Sequence, residues 1–202
     1  DPADESSDEE DEETRLKKEA LSRYYPDVFI VTAESLNVRE EGSLSSAVIG
    51  AMSRGSGGEM IDDKTEGWLH IKSGTLIGYI FSDYALTGEE AEQAALNLLK
   101  ERIRINQDIA NVRSDASLDA QVLGVSTYGA VYDLLEEKDD FYRIRFGGTE
   151  DAWVHKAVAD RDYFLKCGVH VERREGTPEA SSEEEPSETD EAGENMPSPE
   201  ET

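Results

Sequence analysis

Between Phe29 and Phe81 apolar and polar residues alternate in short runs. Phe29–Val38, Ala47–Met52, Glu59–Asp62, Trp68–Lys72 and Gly78–Phe81 read as strands, because a period of two suits a half-buried pleat and the runs are separated by Gly, Ser and Asp clusters. Glycines at 55, 57, 58, 74 and 78 supply the backbone freedom that tight hairpins need. Five short strands in so small a span predict a closed barrel, since closure removes exposed edges from a core that is otherwise marginal.

The pattern is written twice. At an offset of 74 residues, Asn37-Val38-Arg39 returns as Asn111-Val112-Arg113, Ser43-Leu44 as Ser117-Leu118, and Val48-Ile49-Gly50 as Val122-Leu123-Gly124. The offset slips to 73 where Trp68-Leu69-His70-Ile71-Lys72 faces Phe141-Tyr142-Arg143-Ile144-Arg145, and returns to 74 where Gly78-Tyr79-Ile80 faces Ala152-Trp153-Val154. Two copies of this length predict tandem domains rather than a solenoid. Trp68 and Phe141 are read first as large core fillers. Between the copies the period changes. Ala91, Ala94, Ala95, Leu98 and Leu99 recur at helical spacing behind a Thr87/Glu90 capping box, which predicts one amphipathic helix of about 14 residues. A shorter helix over Thr14 to Tyr24, ending before Pro26, is the alternative to a frayed leader.

Composition sets the ends apart. Residues 1–13 hold nine acids and residues 175–202 eleven, neither has a basic residue, and the second contains four of the six prolines. Such segments bury too little apolar surface to offset the entropy of ordering, so both are expected to be disordered. They carry 20 of the 27 net negative charges. The rest of the chain is mildly acidic and has no basic stripe, which argues against nucleic acid and anionic membranes as partners. No run of 18 apolar residues is present to span a bilayer. The chain begins with Asp and has no signal peptide, as expected of a mature or trimmed product.

The domain layout expected is therefore an acidic leader over 1–27, a first barrel over 28–86, a linker helix over 87–102, a second barrel over 103–165 and an acidic tail over 166–202. The fold class is mainly β: two small β-barrels joined by an amphipathic helix, with disordered acidic tails.

Little in the residues suggests chemistry. The single Cys167 excludes an internal disulfide framework and a Cys-rich zinc site. His70, His155 and His170 are scattered, and His70 alternates with Leu69 and Ile71, as an exposed strand residue would. Asp62-Asp63 and the run Glu136 to Asp140 read as solvated turns without the spacing of a calcium loop. "RGSGGE" lacks the Lys-Ser/Thr of a phosphate-binding loop. No cofactor or metal is expected.

"LNVREEGSLSSAVIGAMSRG", "EGWLHIKSG" and "GYIFSDYAL", in that order, resemble the bacterial SH3 domain. The first copy resembles it along nearly its whole length. The second keeps Asn111-Val112-Arg113, Val122-Leu123-Gly124 and Trp153-Val154, but has Asp140-Phe141 for Gly-Trp and Lys156-Ala157-Val158 for Ser82-Asp83-Tyr84. The resemblance implies a secreted or wall-attached bacterial module that binds a peptidoglycan peptide or another wall polymer. The layout is similar to the N-terminal half of clostridial-type cell-wall hydrolases, whose enzyme domain would lie outside this chain. Cys167 in "LKCGV", with His170 close after it, departs from the Asp-Cys-Ser-Gly turn of NlpC-type peptidases, so no catalytic residue is expected here. An extracellular protein-interaction scaffold is the further alternative. Ligands of small barrels lie across grooves lined by aromatic and polar groups. The candidates are Asn37, Arg39, Tyr79, Asp83 and Tyr84 in the first copy and Asn111, Arg113, Tyr142 and Trp153 in the second, with the second copy acting as a spacer where it lacks Asp83 and Tyr84.

Overall fold

The repeat folds into two sets of strands that correspond one for one. The computed structural model describes residues 5–175. A helix α1 (Glu5–Tyr24) leads into the first unit, formed by β1 (Val28–Val31), β2 (Ser35–Arg39), β3 (Val48–Ser53), β4 (Gly57–Asp62), β5 (Trp68–Ser73), β6 (Leu76–Phe81) and β7 (Ala85–Thr87). Helix α2 (Gly88–Leu98) follows. The second unit repeats the series as β8 (Lys100–Ile105), β9 (Ala110–Arg113), β10 (Val122–Ser126), β11 (Val131–Lys138), β12 (Phe141–Phe146), β13 (Thr149–His155) and β14 (Ala159–Phe164). A last strand, β15 (Val169–Arg174), has no counterpart in the repeat.

Alternation decides which side chains are buried. On β2 Leu36 and Val38 point into the first core, and on β6 Leu76 and Ile80 do so while Ile77 and Tyr79 take the other face and Phe81, at the strand end, still packs against the core. The first core gathers Phe29, Val31, Leu36, Val38, Met52, Leu69, Ile71, Leu76 and Ile80. The second gathers Ile103, Ile105, Ala110, Val112, Tyr142, Ile144, Ala152, Val154 and Ala159. Trp68 and Phe141 are buried but belong to neither cluster, because they fall one residue out of phase with Leu69 and Tyr142.

The closed barrels expected from strand count are not seen. Hydrogen-bonded neighbours run in the open order β15-β3-β2-β6-β5-β4-β1-β7 in one sheet and β10-β9-β13-β12-β11-β8-β14 in the other. In the first sheet an edge is covered by an added strand instead of by joining the ends: β15 lies antiparallel on β3, with Val169 opposite Ala51 and His170 opposite Gly50.

Three expectations for the segments outside the repeats are corrected. The leader is helical from Glu5, and Leu21 and Tyr25 at its C-terminal end are buried. Lys17 pairs with Glu13 at 2.6 Å and Arg15 with Glu19 at 2.7 Å along its exposed side. Helix α2 is 11 residues long and Thr87 makes no side-chain cap bond. The residues from Lys100 leave the helical period for the alternation Arg102, Ile103, Arg104, Ile105 and pair with β14 and β11. The tail is folded through Arg174, because the backbone of Leu165 to Gly168 is bonded into the first unit; the acids of 176–202 lie outside the described residues.

A third apolar cluster joins the units. Leu21, Tyr25, Val28, Ile30, Ala91, Ala95, Leu99 and Leu165 come from α1, β1, α2 and the segment after β14. Tyr24 packs its ring 4.8 Å from Phe164 and donates its hydroxyl to Asp162 at 2.8 Å, while the Arg104 guanidinium lies 4.4 Å from the Tyr24 ring. The Leu165 amide donates to the Tyr25 hydroxyl, the Gly57 amide to the Lys166 carbonyl, and the Gly168 amide to the Ser73 hydroxyl. Leu165 is fully buried at this seam, so Leu165→Ala should cost about 2–5 kcal/mol. Chemical denaturation followed by tryptophan fluorescence should show one shifted transition for both units, and separate transitions with one unit unaffected would refute the joint seam.

Candidate functional site

The face of β5 and β6 turned away from the first core carries a row of side chains that crosses four strands. Cross-strand partners run Asp62, His70, Tyr79, Arg39 from β4 through β5 and β6 to β2. The His70 and Tyr79 rings stack with centroids 4.5 Å apart and planes at 7°. His70 Nδ1 lies 3.4 Å from Asp62 Oδ2. The Asp62 carboxyl is held below its usual range chiefly by the Lys64 backbone N–H, with His70 adding to the effect. Next along the same face, Trp68 is opposite Phe81 with ring centroids 4.8 Å apart, and Phe81 lies 6.3 Å from Tyr84. Tyr84 is 43% exposed at the end of this aromatic strip, beside the exposed Asp83.

The second unit builds the same row from different residues. Glu136, Arg143, Trp153 and Arg113 are consecutive cross-strand partners. Arg143 Nε lies 3.1 Å from Glu136, where the first unit has His70 against Asp62. Trp153 replaces Tyr79 and is 92% buried, with Lys138 Nζ 5.9 Å from its ring. Phe141 meets His155 edge-on at 5.0 Å where the first unit has Trp68 and Phe81. In the short turn that follows, Ala157 and Val158 stand where the first unit has Asp83 and Tyr84, so the second aromatic strip ends early.

The expected site residues divide into those at the surface and those enclosed. Tyr79 is half-buried, Asp83 and Tyr84 are exposed, Asn37 shares the Arg39 face of β2, and Asn111 is exposed on β9. Arg39, also a candidate, is enclosed in the framework. It is fully buried, and its Nη1 donates to the carbonyls of Leu44 at 3.0 Å and Ser46 at 2.8 Å, fixing the loop that lies over Trp68. That loop approaches so closely that a Cβ on Gly42 would stand 2.7 Å from Thr65 Cγ2 and 3.2 Å from Trp68 Cγ. Arg113 repeats the arrangement by donating to the Ala120 carbonyl at 2.9 Å. Tyr142, another candidate, packs in the second core, because it shares the phase of Ile144 on β12. His70, Asp62, Trp68 and Phe81 complete the first row but were not among the candidates. The alternation of "WLHIK" against "GYIF" was the available signal, since it places 68, 70, 79 and 81 on one face.

Cys167 and His170 are not brought together as a nucleophile and base. Cys167 lies beneath Gly74 with its thiol toward the Leu165 carbonyl, and burial pushes its pKa up to about 11. His170 shares a hydrogen bond with Thr75 at 3.1 Å, and His155 Nδ1 accepts from the Ala157 amide. Among the described residues no three His, Cys, Asp or Glu side chains cluster as a metal site, and no helix is long and apolar enough to cross a membrane.

Two measurements follow. Arg39→Ala leaves two loop carbonyls without their donor and should cost about 2–4 kcal/mol, against about 1 kcal/mol for Arg113→Ala with its single bond; equal costs in urea unfolding would sink the assignment. A pKa of about 11 in place of 9.0 leaves roughly a hundredfold less thiolate in the folded chain at pH 8. Iodoacetamide should therefore alkylate native Cys167 at least about 100-fold more slowly than the urea-unfolded chain, and similar rates would show that the thiol is not enclosed.

The bacterial SH3 domain family model matches residues 34–85 and 109–159, one stretch in each unit. A putative N-acetylmuramoyl-L-alanine amidase of Bacillus subtilis is 30% identical over 128 residues, an alignment that takes in 61% of this chain and 24% of the amidase. The chain thus spans about a quarter of that relative's length. Among solved structures, an NlpC/P60 family protein from Bacillus cereus aligns at 12% identity and a TM-score of 0.29, over 69% of this chain and 57% of that one. NlpC2 from Trichomonas vaginalis aligns at 14% identity and a TM-score of 0.27, over 66% and 47%. Likenesses this slight carry no argument about function.

Proposed function

The chain belongs to the bacterial SH3 domain family, and from that premise we propose that it is a cell-wall-binding module whose first unit holds a peptidoglycan peptide or related wall polymer on the outer face of β5 and β6. The single observation that carries this reading is the half-buried His70–Tyr79 stack, with Phe81 beside it and the exposed Tyr84 and Asp83 at its end, while the buried Trp68 backs Phe81. Ring faces and edges offer apolar contact to sugar and peptide backbones, and Asp83, Asn37 and Asp62 supply polar groups that set orientation. In the second unit Trp153 is enclosed and the Tyr84 position is Val158, which supports a spacer role for that unit, with Asn111 and Arg113 serving its framework.

The net charge of −27 sets a limit on mechanism. An acidic protein gains nothing from long-range attraction to an anionic wall, so the contacts are short-range and aromatic and binding persists at high salt. The reading places the chain outside the cell or on the wall. A second reading, that the module targets a hydrolase whose enzyme domain lies outside these residues, is favoured by the amidase relative, of which the aligned part is only 24%. A zymogram of the complete gene product that clears peptidoglycan would establish the second reading, and absence of clearing would remove it.

The test of the binding face is co-sedimentation with purified peptidoglycan at low and high salt. Removing two rings with Tyr79→Ala and Tyr84→Ala should weaken binding roughly 30-fold or more, with the circular dichroism of the wild type retained. Trp153→Phe should leave binding unchanged. Wild-type protein that stays wholly in the supernatant defeats the proposal.

A further inference from the structure

The repeat provides an internal comparison that singles out one unpaired strand. β3 and β10 are counterparts, and the loops that lead into them match bond for bond. Glu40 N donates to Ala47 O, Ser43 N to Glu41 O and Ser46 N to Ser43 O; in the second unit Ser114 N donates to Gln121 O, Ser117 N to Asp115 O and Ala120 N to Ser117 O. The two strands differ in what lies outside them. β3 is covered by β15, whereas β10 ends its sheet, and among the described residues no strand pairs with its outer edge.

That edge lacks a guarding charge and a guarding proline, and its one protection is a bulge between Val122 and Gly124. Exposed strand edges are normally guarded by Lys, Pro, an inward charge or a bulge that turns them away. β10 reads Val122-Leu123-Gly124-Val125-Ser126, without a charge or a proline. Val122, Leu123 and Val125 are 44, 43 and 57% exposed, whereas Val48, the counterpart of Val122 under β15, is 4% exposed.

We propose that the outer edge of β10 is a docking site for an extended segment of another polypeptide, which adds antiparallel as a further strand and alternates apolar residues with a basic end. The chain shows the chemistry of such an occupant in β15. Its sequence Val-His-Val-Glu-Arg-Arg lays Val169 and His170 against Ala51 and Gly50, and Arg173 pairs with Glu40 at 2.9 Å. The loop before β10 carries Asp115 and Asp119 to meet a basic end, although Ser114 stands at the position of Glu40. The remaining segment of this chain does not fit, because 176–202 contains no basic residue and four prolines, and each proline would remove a ladder donor. Backbone bonds supply affinity and the alternating pockets supply selectivity, as in strand-addition complexes generally. The surface lies on the second unit, apart from the aromatic strip of the first, and stands or falls independently of wall binding.

The test titrates the isotope-labelled full chain with a synthetic peptide of the sequence of residues 168–175 and follows amide shifts. Saturable shifts at Val122–Ser126 are expected, with affinity that falls as salt rises, and Val125→Glu should weaken binding by about ten-fold or more. Ile61→Glu, an exposed position on β4 of the first unit, should not weaken it. A peptide with Glu at both Arg positions should bind more weakly than the original. Shifts confined to Val48–Ser53 would mean exchange with the chain's own β15 and would overturn the proposal. No shifts at millimolar peptide would overturn it too, as would a concentration-dependent dimer abolished by Val125→Glu, which would make a second copy the occupant.

Discussion

The burial of Leu165 against Tyr25 and the α2 alanines is the contact on which the rest of the arrangement depends. The segment that ends the second unit is held there by its backbone as well as its side chain. Its amides and carbonyls bond to Tyr25, Gly57 and Ser73, and those bonds direct the chain back across the first unit. Once Gly168 is anchored, Val169–Arg174 has one nearby edge to pair with, and β15 forms on β3. A thiol caught in this seam is desolvated, which is why Cys167 is held protonated.

Within each unit the decisive device is a cross-strand row in which a carboxylate, a cation-capable group, an aromatic ring and an arginine follow one another over four strands. Asp62-His70-Tyr79-Arg39 and Glu136-Arg143-Trp153-Arg113 preserve the order of chemical types while three of the four residue types change. Arginine is retained because its fork alone can reach the loop carbonyls while its stem fills the space beneath. The aromatic position varies, from the half-buried, stacked Tyr79 to the enclosed Trp153. At that one position the first unit leaves a ring partly open and the second encloses it, which is the basis for proposing binding in the first.

Much of this was legible from alternation. Four of the five strand segments expected of the first copy and the outward phase of Tyr79 follow from a period of two, because a pleated strand has only two faces, but Phe29–Val38 divides into β1 and β2, and β7 was not foreseen. Misreadings arose where phase competed with residue type. Trp68 and Phe141 are buried as their size suggested, but outside the two core clusters; Tyr142 looked like a ligand residue by type, yet its phase puts it in the core. Arg39 looked like a recognition residue until the loop carbonyls around it were in view. Acidic composition suggested a disordered leader, but a helix needs only one anchored end, and Leu21 and Tyr25 provide it.

Local pattern alone was enough to determine the repeat, most of its strands, the helix between the copies and the family, because these rest on residue spacing within a few tens of positions. Tertiary structure decided what spacing cannot encode. It decided that the sheets stay open in order, that the end of the second unit returns to cover an edge of the first, and that the equivalent edge of the second is left bare. The physical reason is that strand pairing is a contest between distant segments for the same row of backbone donors and acceptors. Its outcome depends on which segment is anchored nearby, and Leu165 provides that anchor.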